Sequence, residues 1–179
     1  MPQSTRSIQE PERDCAHTPR AACPASPQAK KTPQESARAV SSSRSKGTMV
    51  KTDIRIIYGD TDQMGVVYYG NYLRFFEAAR NEWLRAKGAR WREIEAAHSI
   101  YLPVVEAKVN YKRPAFYDDV IEIEARLGDL GRASLRFDYR ILHGADLLVL
   151  GHTVHACVSR EGDMKEFPEP LLERLRAGR

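Results

Sequence analysis

The residues best suited to chemistry lie in one run, Asp60-Thr61-Asp62-Gln63-Met64-Gly65-Val66-Val67-Tyr68-Tyr69-Gly70-Asn71-Tyr72. It sets two carboxylates just ahead of a segment with helical periodicity, where a helix start offers unpaired backbone N–H groups and the positive end of its dipole. A carboxylate beside such N–H groups supplies a nucleophile or general base together with an oxyanion site. The bland alternative, an Asp-rich loop that makes turns and caps a helix, is the commoner meaning of such a stretch. Two features weigh against it. Val66, Val67, Tyr68 and Tyr69 are too apolar for an exposed turn, and Gly65 and Gly70 bracket them as though backbone must approach something closely.

The elements that must hold this loop can be read from the periodicities around it. Upstream, Thr52 to Tyr58 alternates with Ile54, Ile56 and Tyr58 on one face, a strand ending at Gly59. Downstream, with Asn71 as N-cap, apolar residues recur at Tyr72, Phe75, Phe76, Ala79 and Trp83 against Arg74, Glu77, Asn81 and Arg85. That spacing predicts an amphipathic helix to about Gly88. A short second helix is expected over Trp91–His98, after which the period falls to two. Val105, Ala107, Val109 and Tyr111 share one face of a strand. Ile121, Ile123, Ala125 and Leu127 share one face of the next, and Ala133, Leu135, Phe137, Tyr139 and Ile141 one face of the third. Gly128 to Gly131 and Gly144-Ala145-Asp146 read as hairpin turns. A last strand over Leu147 to Arg160 and a short helix from Pro170 to Ala177 complete the pattern. One strand, one long helix and four strands in succession predict an α+β fold with a five-stranded antiparallel sheet. One helix cannot cover both faces of that sheet, so self-association is expected.

Composition limits the function classes. The net charge of +4 divides unevenly, since residues 1–48 hold eight Lys/Arg and four Asp/Glu, whereas 49–179 hold twenty of each. A neutral domain has no electrostatic footprint for a phosphate backbone, so nucleic acid is not an expected partner. No apolar run is long enough for a membrane span. Residues 1–48 lack Phe, Tyr, Trp and Leu and carry six of the ten prolines. They read as a disordered extension or as the product of a start misplaced upstream of Met49, with residues 49–179 as the domain. Cys15, Cys23 and Cys157 are odd in number and scattered, which fits a reducing compartment, the cytoplasm by default. Cys15, His17 and Cys23 lack a fourth ligand, and His152 and His155 point to opposite faces of a strand, so neither set argues for a metal. Cys157 reads as a core or interface thiol, and no cofactor is called for.

Two stretches carry a resemblance. Asp60-Thr61-Asp62 with Gly65, Val67-Tyr68-Tyr69, Asn71-Tyr72 and Phe76-Glu77-Ala79-Arg80 is one, and Tyr111-Lys112-Arg113-Pro114-Ala115-Phe116-Tyr117-Asp118-Asp119 is the other. Together they resemble the 4-hydroxybenzoyl-CoA thioesterase family and, within it, the YbgC-like acyl-CoA thioesterases, over roughly residues 50–168. The resemblance implies a hot-dog fold, an antiparallel five-stranded sheet wrapped around one long helix, with a homodimer or homotetramer and active sites at the dimer interface. It implies that Asp62 is the catalytic carboxylate, that the Tyr69 N–H polarises the thioester carbonyl, and that Gly65 permits close approach, with Val66, Val67, Tyr68 and Glu77 on the substrate.

A thioester has a good leaving group, so the difficult step is delivery of oxygen while an oxyanion develops. Asp62 would attack the carbonyl to form a mixed anhydride or activate a water as general base, and both routes stay open. Asp60 is expected to stabilise the loop. Glu77 is the rival carboxylate, because another thioesterase clade of this fold uses a helix glutamate; its bland reading is a surface pair with Arg74 or Arg80. Lys112, Arg113, Arg132 and Arg160 are weak candidates for the CoA phosphates. A second hypothesis is a non-catalytic domain that binds acyl-CoA or an acyl carrier protein. A third, nucleic-acid binding through the tail, is disfavoured by the neutral domain.

Overall fold

The computed structural model describes residues 48–177, so the tail assignment and Cys15, His17 and Cys23 lie outside it, apart from Thr48. The order is β1 Val50–Arg55, α1 Asn71–Ala86, α2 Trp91–His98, β2 Val104–Tyr111, β3 Val120–Leu130, β4 Ser134–His143, β5 Asp146–Ala156 and α3 Glu169–Ala177. The strands form one sheet in the order β1-β3-β4-β5-β2, antiparallel at every pairing. This is the five-stranded α+β arrangement that the alternation predicts.

The core forms where the two periodicities meet. β3 turns Ile121, Ile123, Ala125 and Leu127 inward and β4 turns Leu135, Phe137, Tyr139 and Ile141 inward, all buried. The α1 stripe of Tyr72, Phe75, Phe76, Ala79 and Trp83 lies against them. Phe76 stacks flat on Tyr139 at 4.3 Å between centroids, and the Trp83 ring meets Phe137 edge-on at 5.3 Å. The Trp83 indole N–H donates to the Thr48 carbonyl at 2.9 Å, so the ordered domain includes at least that residue of the expected tail. Mid-strand in β5, Gly151 faces Tyr139 of β4, and the Phe76 ring occupies the space a side chain would fill: a Cβ there would come within 2.6 Å of both Phe76 and the Lys108 carbonyl.

Four details depart from the sequence reading. Tyr58 does not continue the face of Ile54 and Ile56; the chain leaves β1 at Arg55 and tightens into a short 3₁₀ turn, Tyr58–Asp60, leaving Tyr58 exposed. β2 alternates in sequence but is an edge strand, and of its expected inner face only Val109 is half-buried. Gly128 lies inside β3 at a register shift, and the hairpin turns at Gly131 to Ala133. β5 ends at Ala156, with Val158 making separate bridges to Tyr101 and Met164. His152 and His155 do face opposite ways, and Cys157 is a core thiol that burial pushes up in pKa.

A buried polar chain crosses the core. The Arg80 guanidinium donates to the Tyr139 hydroxyl (3.5 Å), which lies 3.0 Å from Thr153 Oγ1, itself 2.8 Å from His155 Nε2; His155 Nδ1 stands 3.3 Å from the Leu102 carbonyl. Because a carbonyl only accepts, Nδ1 carries the proton, and the Thr153 hydroxyl donates to Nε2. Burial, and then the Arg80 charge, lowers the His155 pKa to about 4, against an ordinary 6.5. The unfolded chain therefore binds the extra proton first. His155 supports full stability above about pH 6.5, and the support is lost as pH falls from there towards 4, by about 3 kcal/mol in all. Urea unfolding between pH 7 and 4 is expected to show a shallower loss of stability in His155→Gln than in the wild type; equal slopes would contradict this.

Candidate active site

The loop ahead of α1 is built by its own polar groups. Asp60 is buried, and its carboxylate bonds Arg74 of α1 and accepts the Ile57 N–H at 3.2 Å. Its carbonyl accepts the Tyr68 N–H and the Asn71 side-chain amide, each at 2.9 Å. Asp60 thus ties the 3₁₀ turn to the helix start, the stabilising role expected of it. Asn71 is the first residue of α1 rather than its cap, and its amide reaches back to the loop instead of over the helix.

Asp62 opens a tight turn. The Gly65 N–H donates to the Asp62 carbonyl and the Asp62 N–H to the Val66 carbonyl, both at 2.9 Å, while the Met64 N–H donates to Asp62 Oδ1 at 2.8 Å. Gly65 completes the turn at φ 75°, where a side chain is strained. Nothing else lies within 4 Å of where its Cβ would be, so within the protomer its reason is conformational rather than close packing. After the turn the chain runs back antiparallel, with Val67 bridging Thr61 and Val66 bridging Phe116, and the Val67 N–H donates to the Ala115 carbonyl at 2.9 Å. The two sequence stretches that carried the resemblance are therefore stitched together by backbone bonds. Val67 is buried and Val66 half-buried, which accounts for the apolar character of the loop; Tyr68 and Tyr69 stay exposed, the Tyr68 ring lying over Gly70.

A cavity of about 310 Å³ opens here, lined by Asp62, Val66, Val67 and Tyr69 on one side and by Tyr72, Tyr111, Lys112, Arg113 and Pro114 on the other. The Tyr111 hydroxyl donates to the Tyr69 carbonyl at 2.9 Å, fixing the peptide that leads into α1. Among the described residues the Tyr69 N–H has no hydrogen-bond acceptor. The arrangement offers a carboxylate held by a turn, an unpaired N–H at a helix start and an apolar wall, the requirements for acyl transfer to oxygen.

Other expectations are placed elsewhere. Phe75, Phe76 and Trp83, read as the makings of an acyl pocket, are core residues and do not line this cavity, because the helix face they occupy is turned to the sheet. Gly65 and Tyr68 flank the cavity without lining it. Glu77 lines a separate cavity, and neither expected partner takes it: Arg74 is engaged by Asp60, and Arg80 by Tyr139. Lys112 and Arg113 stand at the Asp62 cavity, with Arg113 bonded to Asp146; Arg132 pairs with Glu166 and Arg160 lines a different hollow. Tyr72 and Tyr111 were read as members of apolar faces and of the two matching stretches, and not as lining a site. Among the described residues no three His, Cys, Asp or Glu side chains are grouped to hold a metal, and no helix is long and apolar enough to cross a membrane.

A single long helix carried in an antiparallel sheet of this order, entered through a carboxylate-bearing turn, is the hot-dog fold. The chain belongs to the thioesterase-like superfamily, whose family model matches residues 57–175. It is 35% identical over 121 residues to the 1,4-dihydroxy-2-naphthoyl-CoA hydrolase of Synechococcus elongatus, covering 67% of this chain and 87% of that one. It is 31% identical over 117 residues to the acyl-CoA thioesterase YbgC of Haemophilus influenzae, covering 65% and 85%. Among solved structures, a hypothetical protein from Thermus thermophilus superposes with a TM-score of 0.69 at 32% identity, over 74% of this chain and 98% of that one. The chain is a thioester hydrolase of the YbgC-like group.

Proposed function

We propose that the protein hydrolyses acyl-CoA thioesters in the cavity beside Asp62. One observation carries the reading: Asp62 and the residue that opens the way into α1, Tyr69, line the same apolar cavity, and among the described residues the Tyr69 N–H has no acceptor, which leaves it to receive a carbonyl oxygen. The thioester carbonyl accepts that N–H. Asp62 then attacks the carbonyl carbon to give a mixed anhydride with loss of the CoA thiolate, which water cleaves, or it takes a proton from a water that attacks in its place. Val66 and Val67 face the acyl chain, and Gly65 and Tyr68 hold the loop around it. Lys112 is the cation at the cavity best placed for a CoA phosphate, since Arg113 is engaged by Asp146.

Among the described residues no strand lies beside the outer edge of β2, and Val104, Val105 and Tyr111 are exposed along it, as are Phe116 and Tyr117 near the cavity. A second copy pairing there would cover these groups, giving a homodimer that a further pairing extends to a homotetramer; light scattering at the monomer mass would count against it. An acyl carrier protein is a second source of thioester. A free, buried Cys157 fits a cytoplasmic enzyme. The test is thiol release from a panel of aryl and aliphatic acyl-CoAs and acyl carrier proteins. Saturable release from at least one of them is expected; binding without release from every member would leave the fold as an acyl-binding domain.

A further inference from the structure

A second cavity, of about 360 Å³, lies between α1 and α2 and shares no lining residue with the first. Four guanidinium groups line it, Arg80 and Arg85 from α1 and Arg90 and Arg92 at the start of α2, together with Glu77 and Trp91. Two of these charges are answered by near neighbours in sequence, Arg85 by Glu82 within α1 and Arg90, just before α2, by Glu93 at 3.4 Å. Arg80 and Arg92 have no carboxylate partner among the described residues, and Glu77 has no cation. Most of the described arginines, Arg55, Arg74, Arg113, Arg132 and Arg140 among them, each meet a carboxylate.

Arg80 is nonetheless held in place. It heads the buried hydrogen-bond chain through Tyr139, Thr153 and His155 that ends on the Leu102 carbonyl, and Leu102 lines this same cavity. The chain braces two walls of one hollow. Ordering a guanidinium costs side-chain entropy, and among the described residues no carboxylate receives the charge so fixed. The N–H groups of Trp91 and Arg92, in the first turn of α2, also lack acceptors among the described residues, which adds the positive end of a helix to the same hollow.

We propose that this cavity binds a small organic anion whose carboxylate or phosphate is held by Arg80 and Arg92, with a hydroxyl or amine of the ligand donating to Glu77. The Trp91 ring, half-buried and tethered by its N–H to Glu95 at 2.6 Å, supplies a flat apolar wall. The size is that of an ordinary small-molecule site. Planar guanidinium groups suit both oxyanions through paired N–H donors. The inference is independent of how Asp62 acts.

The test titrates the full chain with benzoate and, separately, with inorganic pyrophosphate at fixed ionic strength, following tryptophan fluorescence. Trp91 lines the cavity whereas Trp83 is sealed in the core, so a bound probe perturbs the former. Saturable binding of at least one probe is expected, weakened at least tenfold by Arg92→Met and unchanged by Arg176→Met, an exposed guanidinium in the last turn of α3 that lines no part of this cavity. Tighter benzoate assigns a carboxylate ligand and tighter pyrophosphate a phosphate one. Arg80→Met should act likewise but disturbs the buried chain, so the exposed Arg92 decides. Failure of both probes to saturate, or equal affinity in Arg92→Met, would overturn the proposal.

Discussion

Asp62→Asn is expected to lower kcat for thiol release by about 10³-fold, some 4 kcal/mol of transition-state stabilisation, with little change in KM or melting temperature. The argument for an intact fold is local. Asp62 Oδ1 accepts the Met64 N–H at 2.8 Å, and an asparagine oxygen can accept the same bond, so the turn that ends at Gly65 keeps its geometry. What the amide loses is the negative charge, and with it both the ability to attack a carbonyl and the ability to take a proton from water. Glu77→Gln is the comparison. Glu77 lies one and a half turns into α1 and lines a different cavity, so a loss of no more than about threefold is expected. An Asp62→Asn protein that keeps a tenth or more of wild-type turnover, or a Glu77→Gln protein that loses as much, would move the chemistry off Asp62.

Gly151→Ala is expected to destabilise the fold by about 3 kcal/mol, lowering the melting temperature by roughly 10 °C. A Cβ at this position would sit 2.6 Å from the Lys108 carbonyl of β2 and 2.6 Å from the Phe76 ring. Neither neighbour yields easily: the carbonyl is backbone in the strand pairing Val109 with Gly151, and the ring is stacked flat on Tyr139. Phe76→Leu in the same background is expected to recover only part of the loss, because it relieves the ring and not the carbonyl. Urea unfolding of the three proteins measures this. Wild-type stability in Gly151→Ala would mean that β2 and α1 do not approach β5 as closely as described.

The local patterns were legible because each rests on neighbours in sequence. The 3.6-residue stripe from Tyr72 to Trp83 gave α1 nearly to its last residue, and strict alternation gave the inner faces of β3 and β4. Sheet order was not legible, since alternation shows that a strand has two faces and not which strand lies beside it. β2 shows the cost of that gap: Val105, Ala107 and Tyr111 alternate as an inner face would, yet the strand lies at an edge and its register shifts between Val104 and Glu106. The site divides in the same way. The turn at Asp62, the contacts of Asp60 and the position of Tyr69 all fall within a dozen residues, so their arrangement could be read in order. The opposite wall, Tyr111 to Pro114, comes from 42 residues beyond Tyr69, and the hydroxyl-to-carbonyl bond joining them appears only once the chain is folded. The buried chain from Arg80 to Leu102 spans α1, β4, β5 and the approach to β2, and no periodicity announces it.

The most direct test of the central claim is a crystal structure of Asp62→Asn with an uncleaved acyl-CoA. The thioester carbon is expected within about 3.5 Å of the residue-62 side chain or of a water bonded to it, and the carbonyl oxygen about 3 Å from the Tyr69 N–H. A thioester lodged away from the Asp62 turn, with the Tyr69 N–H facing solvent, would contradict the account.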